Sequence, residues 1–457
     1  MLFSSIPFLY YFLPCVLILY FLVPANVKNL ILLLTSLVFY AWGEPRLVIL
    51  MLITITIGFG MGILTEEHPR YRGILLALTV LFDLGTLMYF KYADFFLENF
   101  NAVTGLSLPL LKVALPIGIS FYTFQILSYN IDVYCGQVKA QRDPLKLATY
   151  ITMFPQLIAG PIVRYKDIEI QLEKREHNLS KISEGIRRFI FGLSKKVLIA
   201  NVLGELCEIF RQSDEKSILF YWMYAVAFSL QIYFDFSGYS DMAIGLGKIL
   251  GFDFMENFNY PYISKSITEF WRRWHISLGT WFRDYVYIPM GGSRVKAWRR
   301  VSNILVVWML TGFWHGAAWN FVLWGLFFAI LLMGEKLFLL KYLEKSKIWN
   351  RVYVLLAVIV SFVIFNGTSM REIMSDIGGM FGVGNVPNIT AETIYYLKSY
   401  ALVFGVAMIG ATPIPKTVVS KVKKLQWLEP IVLILLLVVV TAYLVDGSFN
   451  PFLYFRF

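Results

Sequence analysis

Residues 301–334 read VSNILVVWMLTGFWHGAAWNFVLWGLFFAILLMG and contain no Asp, Glu, Lys or Arg. Two apolar spans, 301–315 and 317–334, meet at His315. A full bilayer crossing needs about 20 apolar residues, so uncharged runs of this length point to membrane helices. The rest of the chain repeats the pattern, with apolar stretches at 8–24, 29–42, 47–64, 73–92, 113–134, 186–206, 218–240, 352–366, 393–411 and 428–445. Of the 457 residues 58% are hydrophobic and 16% charged, and the mean hydropathy is +0.64. Soluble proteins carry about 25% charged residues, so a water-soluble chain is excluded. So are a disordered chain and a fibre. Cys15, Cys135 and Cys207 lie far apart in or beside apolar runs, which implies no disulfide framework. The expectation is an all-α polytopic membrane protein with about 10–12 transmembrane helices plus re-entrant or interfacial helices, forming one domain over 1–457.

The net charge of +11 does not call for nucleic acid here. Basic residues cluster at 65–72, 136–148, 164–188, 264–300, 335–351 and 416–424, and retained basic loops mark the cytoplasmic side. All six lie inside only if 149–163 (YITMFPQLIAGPIV within it) and 254–290 do not cross. Both are proline-broken or amphipathic, and such segments are tolerated where neighbouring protein satisfies their backbone. An even number of crossings then puts both termini outside. The opening MLFSSIPFLYYF has no basic start and no cleavage-like small residues, so it reads as a retained helix. RYKDIEIQLEKREHNLSKISEGIRR (164–188) reads as an interfacial helical segment.

Several chemistries are missing. The chain has no GxxxxGK, GxGxxG, HExxH, paired CxxC or GxSxG, and its four histidines and three cysteines lack metal-ligand spacing. His68 and His177 sit in charged loops and read as solvated. His315 stands at membrane depth, where an imidazole is costly and marks a functional site; burial keeps it neutral and able to accept a proton. Gly312, Gly316, Ala317 and Ala318 beside it suggest backbone open to a substrate. A core histidine bonded to a neighbouring helix is the other reading, and the residues alone leave both open. His275, in FWRRWHISLGTWFRDYVYIPMGG, has Arg272, Arg273, Arg283, Asp284 and Glu269 nearby. Trp271, Trp274, Leu278 and Trp281 there would form one stripe of an interfacial helix; alternatively the arginines face an anionic donor. Asp235 and Asp241, in SLQIYFDFSGYSDMAIGLGKILG, need partners, for which basic residues of 264–300 are the candidates. The chain ends VDGSFNPFLYFRF, an aromatic tail around Tyr454 that reads as an anchor unless its hydroxyl is used.

FWRRWHISLGTWFRDYVYIPMGG and GFWHGAAWNFVLWG, with MLFSSIPFL, FYAWGEP, LPIGISFYTFQ, FPQLIAGPIVR, YFDFSGYSDMAIG and the terminal PFLYFRF, make the chain resemble the membrane-bound O-acyltransferase superfamily, and its bacterial alginate O-acetyltransferase branch, from end to end. The resemblance implies a helical bundle around a central tunnel in the bacterial plasma membrane. It implies that His315 is catalytic, that His275 lines the same tunnel, and that Tyr454 matches a tyrosine thought to relay the acyl group. The implied donor is acetyl-CoA or another cytoplasmic acyl thioester, with no tightly bound cofactor. The implied partners are an extracytoplasmic SGNH-type acetyltransferase or a polysaccharide acceptor. Thioester attack needs a base and oxyanion donors; His315 would be the base, and Trp314, Asn320 or backbone amides the donors. Arg272, Arg273 and Asp235 complete the expected substrate-binding set. The alternatives are a D-alanyl-type transferase acting on teichoic acid, which would take the tyrosine motif from a separate partner, and a secondary transporter relaying protons through Asp235, Asp241 and His315.

Overall fold

The computed structural model describes residues 1–158, 160–421, 427–447 and 450–451. All regular structure among them is helical. Among the described residues, six helices are long and apolar enough to cross a membrane: Val48–Glu67, Arg72–Thr104, Ile218–Ile249, Trp319–Leu343, Trp349–Asn366 and Ala391–Gly410. Phe8–Leu22, Lys28–Ala41 and Glu429–Val445 are shorter apolar helices. Ala297–His315 adds a further helix of 19 residues. The chain is thus an all-α polytopic membrane protein. Large apolar side chains such as Ile49, Ile53, Leu402 and Ile434 stay exposed on these helices, as surfaces facing lipid do; a helix satisfies its own backbone, so nothing polar need face the hydrocarbon.

The described residues fall into two compact units. The first is Met1–Phe189 with Met242–Met255, and the second is Ile190–Asp241 with Glu256–Phe457.

In the first unit the helix expected over 113–134 starts only at Ile119. Pro116 precedes a left-handed Gly118, and a Cβ there would lie 2.8 Å from the Leu157 carbonyl oxygen, so only glycine fits. The 149–163 segment does break as its prolines require, into short helices Pro144–Thr152 and Phe154–Leu157. Protein satisfies its backbone: Phe154 N–H donates to Ser36 Oγ at 3.1 Å, and the Tyr150 hydroxyl donates to the Val163 carbonyl at 2.9 Å. The 164–188 region is helical over Tyr165–Glu173 and again from Leu179, with a break between.

In the second unit, residues 218–241 of the helix Ile218–Ile249 are buried along most of their length. Its two acids have partners other than those expected. Asp235 pairs with Lys196 at 2.6 Å, and Asp241 pairs with Lys195 at 2.6 Å. Neither partner comes from 264–300. The wide π-type turn Lys195–Asn201 brings both lysines against this helix, in a run that reads as apolar from its composition.

Candidate active site

The site builds from the segment 256–287, in the second unit. This segment is not one interfacial helix. Helix Ile267–Arg273 stops, and helix Ile276–Phe282 begins after His275, whose φ of 45° and ψ of 53° are left-handed. A non-glycine residue rarely takes that conformation, and neighbouring bonds must hold it. Asn257 supplies them. Its carbonyl accepts from Ile276 N–H at 3.0 Å, and its side-chain Oδ1 accepts from Ser277 N–H at 3.2 Å and Ser277 Oγ–H at 2.9 Å. The tryptophans of the expected stripe are therefore spread over several buried surfaces. Trp274 stacks on Phe270 with ring centroids 5.6 Å apart, while Trp271 meets Trp308 at 4.6 Å and Phe328 at 4.8 Å.

The same Asn257 amide fixes the protonation of His275. A backbone N–H faces Oδ1, so the oxygen and not the nitrogen of the amide stands there; the nitrogen donates to Ser240 Oγ at 3.1 Å. His275 Nδ1 lies 3.1 Å from this oxygen and must carry a proton to bond it. Burial pushes the imidazole well below its ordinary value of 6.5, and the nearby His315 adds to this. His275 is thus neutral and protonated on Nδ1.

His315 closes the helix Ala297–His315 and is 8% exposed. Its ring packs against Trp314, Trp324 and Phe365 at centroid distances of 5.0, 5.1 and 5.2 Å. Trp314 also lies 5.8 Å from the His275 ring, so one indole touches both histidines. The small residues nearby serve packing. A Cβ on Gly312 would fall 2.3 Å from the Phe321 carbonyl oxygen, and one on Gly316 would fall 2.2 Å from the Phe321 ring. The expectation of open backbone at Gly312 and Gly316 is corrected: they let the helix ending at His315 meet the helix Trp319–Gly334.

A cavity of about 670 Å³ opens against this assembly, within the range of small-molecule sites. His275, Thr311, Trp271, Trp308 and Leu278 line it, and Arg272, Arg283 and Lys336 supply its cations; among the described residues no carboxylate side chain lines it. Arg283 shares its charge with Asp284 at 2.7 Å. The wall carrying Trp271 and Arg272 is held from across the unit by Glu335. That buried carboxylate accepts from Ile267 N–H at 2.5 Å, Thr268 N–H at 2.9 Å and Thr268 Oγ–H at 2.7 Å. Negative charge there caps the N-terminus of helix Ile267–Arg273.

Of the residues singled out from sequence, His315, His275 and Trp314 come together, and Arg272 reaches the cavity beside His275. Arg273 does not. It bonds Glu269 one turn back at 2.9 Å and the Asn259 carbonyl at 3.0 Å, because on helix Ile267–Arg273 it faces away from Arg272. Asn320 turns its amide N–H to the Phe365 carbonyl at 2.8 Å, and Asp235 is engaged with Lys196. Tyr454 lies outside the described residues. Sequence reasoning missed Asn257, Ser277, Glu335 and Lys336. Glu335 and Lys336 carried a signal, as adjacent opposite charges ending an otherwise apolar run. Asn257, a lone amide in FMENFNYPY, carried none.

Two buried imidazoles around one indole are groups able to move a proton, and the scaffold that holds them is that of a polytopic membrane enzyme. Residues 138–375 match the membrane-bound O-acyltransferase family. The chain is 40% identical, over the whole length of both, to a probable alginate O-acetylase of Pseudomonas putida. It is 37% identical, again over the whole of both chains, to a probable alginate O-acetylase of Azotobacter vinelandii. A peptidoglycan O-acetyltransferase of Helicobacter pylori is 35% identical over 73% of this chain and 70% of its own. The chain belongs to the membrane-bound O-acyltransferase family, and it is an acyltransferase.

Proposed function

We propose that the protein moves an acetyl group from a cytoplasmic thioester, acetyl-CoA in the first instance, across the bacterial plasma membrane for O-acetylation of an extracytoplasmic polysaccharide. The observation that carries this reading is the pair of buried histidines around Trp314, one of them lining a cavity rimmed by Arg272, Arg283 and Lys336. The cations suit the phosphates of an acyl-CoA, and guanidinium suits them best. The apolar lining of Trp271, Leu278 and Trp308 suits the uncharged arm that carries the thioester.

In this mechanism His315 is the general base. The acceptor oxygen attacks the thioester carbonyl carbon while His315 takes the hydroxyl proton, and a C–O bond forms. The tetrahedral oxyanion then collapses, the C–S bond breaks, and the departing thiolate recovers the proton from the imidazolium. The products are an oxygen ester and a free thiol. Asn320 and Asp235, each held by another group, leave the Trp314 indole N–H and backbone amides as the oxyanion donors this reading favours. His275, with its ring held by Asn257 through Nδ1, lines the donor cavity beside this reaction.

The acetyl group is passed on outside, through Tyr454 as an acyl relay, to an SGNH-type acetyltransferase or directly to the polymer. Both termini face outside. Full-length similarity to alginate O-acetylases supports acetyl transfer over the D-alanyl alternative. The ion pairs of Asp235 and Asp241 speak against a proton relay through them. The test is vectorial transfer in oriented vesicles: radiolabelled acetyl-CoA supplied on the cytoplasmic side, with polymer and extracytoplasmic partner on the other. Label in polymer outside, needing this protein and donor inside, is expected. Transfer only when donor and acceptor share one side would overturn the reading.

A further inference from the structure

The loop 174–178, which reads as solvated from sequence, forms one wall of a cationic niche in the first unit. The end of helix Phe8–Leu22, the start of helix Lys28–Ala41 and residues 250–253 form the rest. Tyr20 is buried at its centre, and its hydroxyl donates to the Leu250 carbonyl at 2.6 Å. Two cations share its ring: Lys28 Nζ lies 4.7 Å from the centroid and Arg175 Cζ lies 5.7 Å from it. Lys28 also stands over Phe21 at 5.4 Å, and Arg175 over Phe252 at 4.8 Å.

The niche has too few anions. Lys181 is matched by Asp253 at 2.7 Å. Among the described residues, no carboxylate pairs with Lys28 or Arg175. Arg175 Nη2 donates to Asn29 Oδ1 at 2.5 Å, but its Nη1 is buried with no hydrogen-bond partner. His177 Nε2 faces the Tyr20 hydroxyl at 3.4 Å, and its Nδ1 is also buried and unpartnered. Burial first, and then the charges of Lys28, Arg175 and Lys181, hold His177 down at about 4. A buried guanidinium N–H without an acceptor is among the costliest groups a protein can keep, and it calls for a missing partner.

The position of the niche says what kind of partner fits. Ile18, Leu19, Phe21 and Leu22 are exposed at the end of one apolar helix, and Lys28 opens the next. That is where acyl chains give way to headgroups. We infer that Lys28 and Arg175 bind the phosphate of an anionic phospholipid whose acyl chain lies along Ile18, Phe21 and Leu22. Arginine offers the phosphate a forked pair of N–H donors, and lysine offers a point charge. The lipid neutralises two like charges that share one ring and supplies Nη1 with its acceptor.

The test uses the full-length protein, delipidated in a neutral detergent. Binding of dioleoylphosphatidylglycerol and dioleoylphosphatidylcholine is titrated by native mass spectrometry, with inorganic phosphate as a separate competitor. Phosphatidylglycerol is expected to bind in preference, and millimolar inorganic phosphate to displace little of it. Basic residues near a charged surface contribute about fivefold each, so Lys28→Gln with Arg175→Gln should weaken phosphatidylglycerol binding about 30-fold. If the double variant does not fold, the half-buried Lys28→Gln alone should still show the fivefold loss. Equal binding of the two lipids, or undiminished binding by Lys28→Gln, overturns the proposal. Displacement by inorganic phosphate at matched concentration overturns the lipid as its source.

Discussion

The Lys196–Asp235 pair offers a sharp energetic test, because both side chains are almost wholly buried, at 2% and 4% exposure, and only 2.6 Å apart. At an effective dielectric of about 20 that separation corresponds to about 6 kcal/mol of attraction. Desolvating the two ions offsets most of it, so the net worth of the pair is small while the cost of breaking it is not. Asp235→Leu should therefore destabilise by about 3–5 kcal/mol, since it removes the carboxylate that faces a buried ammonium. Lys196 also donates to the Pro451 carbonyl, which softens that loss without supplying a charge. Lys196→Met with Asp235→Leu removes both charges and should return to within about 1 kcal/mol of the parent. In detergent, thermal unfolding followed by tryptophan fluorescence reads this as a drop of about 6–10 °C for the single variant, at about 2 °C per kcal/mol. The double variant should recover most of it. A double variant less stable than either single one would refute the reasoning. A double variant that is stable yet inactive would return Asp235 to the substrate-binding set.

Three further outcomes follow from the site and its surroundings. Asn257→Leu should lower kcat about 100-fold with little change in donor KM, because His275 loses its orientation. Asn257→Asp should restore most of the rate and move the acid limb of the pH–rate profile upward, since a carboxylate favours the imidazolium; unchanged kcat in Asn257→Leu would contradict this. The His177 imidazole sits at about 4 in the folded chain against 6.5 ordinarily, so between those values the unfolded chain binds the proton first. Stability of the lipid-free protein should fall as pH drops from about 6.5 to 4, and His177→Phe should flatten that slope in melts at pH 7.5, 5.5 and 4.5. Tyr454→Phe keeps the ring and removes the hydroxyl, so polymer acetylation should fail while the protein still inserts; wild-type acetylation would leave the tail an anchor.

The membrane character, most helix positions and the two histidines were legible because apolar runs and isolated imidazoles stand out against lipid chemistry. The break at His275 was not, since Trp271, Trp274, Leu278 and Trp281 keep a helical period while the backbone is turned by Asn257, about 18 residues upstream in the chain. The partners of Asp235 and Asp241 were hidden for a related reason. Lys195 and Lys196 lie inside a run that reads as a spanning helix, and only the wide turn at Lys195–Asn201 shows how they reach the acids. Gly312 and Gly316 looked like room for a substrate because small residues leave space in a sequence. In the fold, a neighbouring helix takes that space.

The most direct test of the account is acetyl transfer by His315→Ala, measured with radiolabelled acetyl-CoA on protein shown by its melting curve and membrane insertion to be intact. Loss of the general base should lower the rate by about 10²–10⁴-fold without loss of donor binding. Transfer near the parental rate by an intact His315→Ala protein would contradict the catalytic assignment.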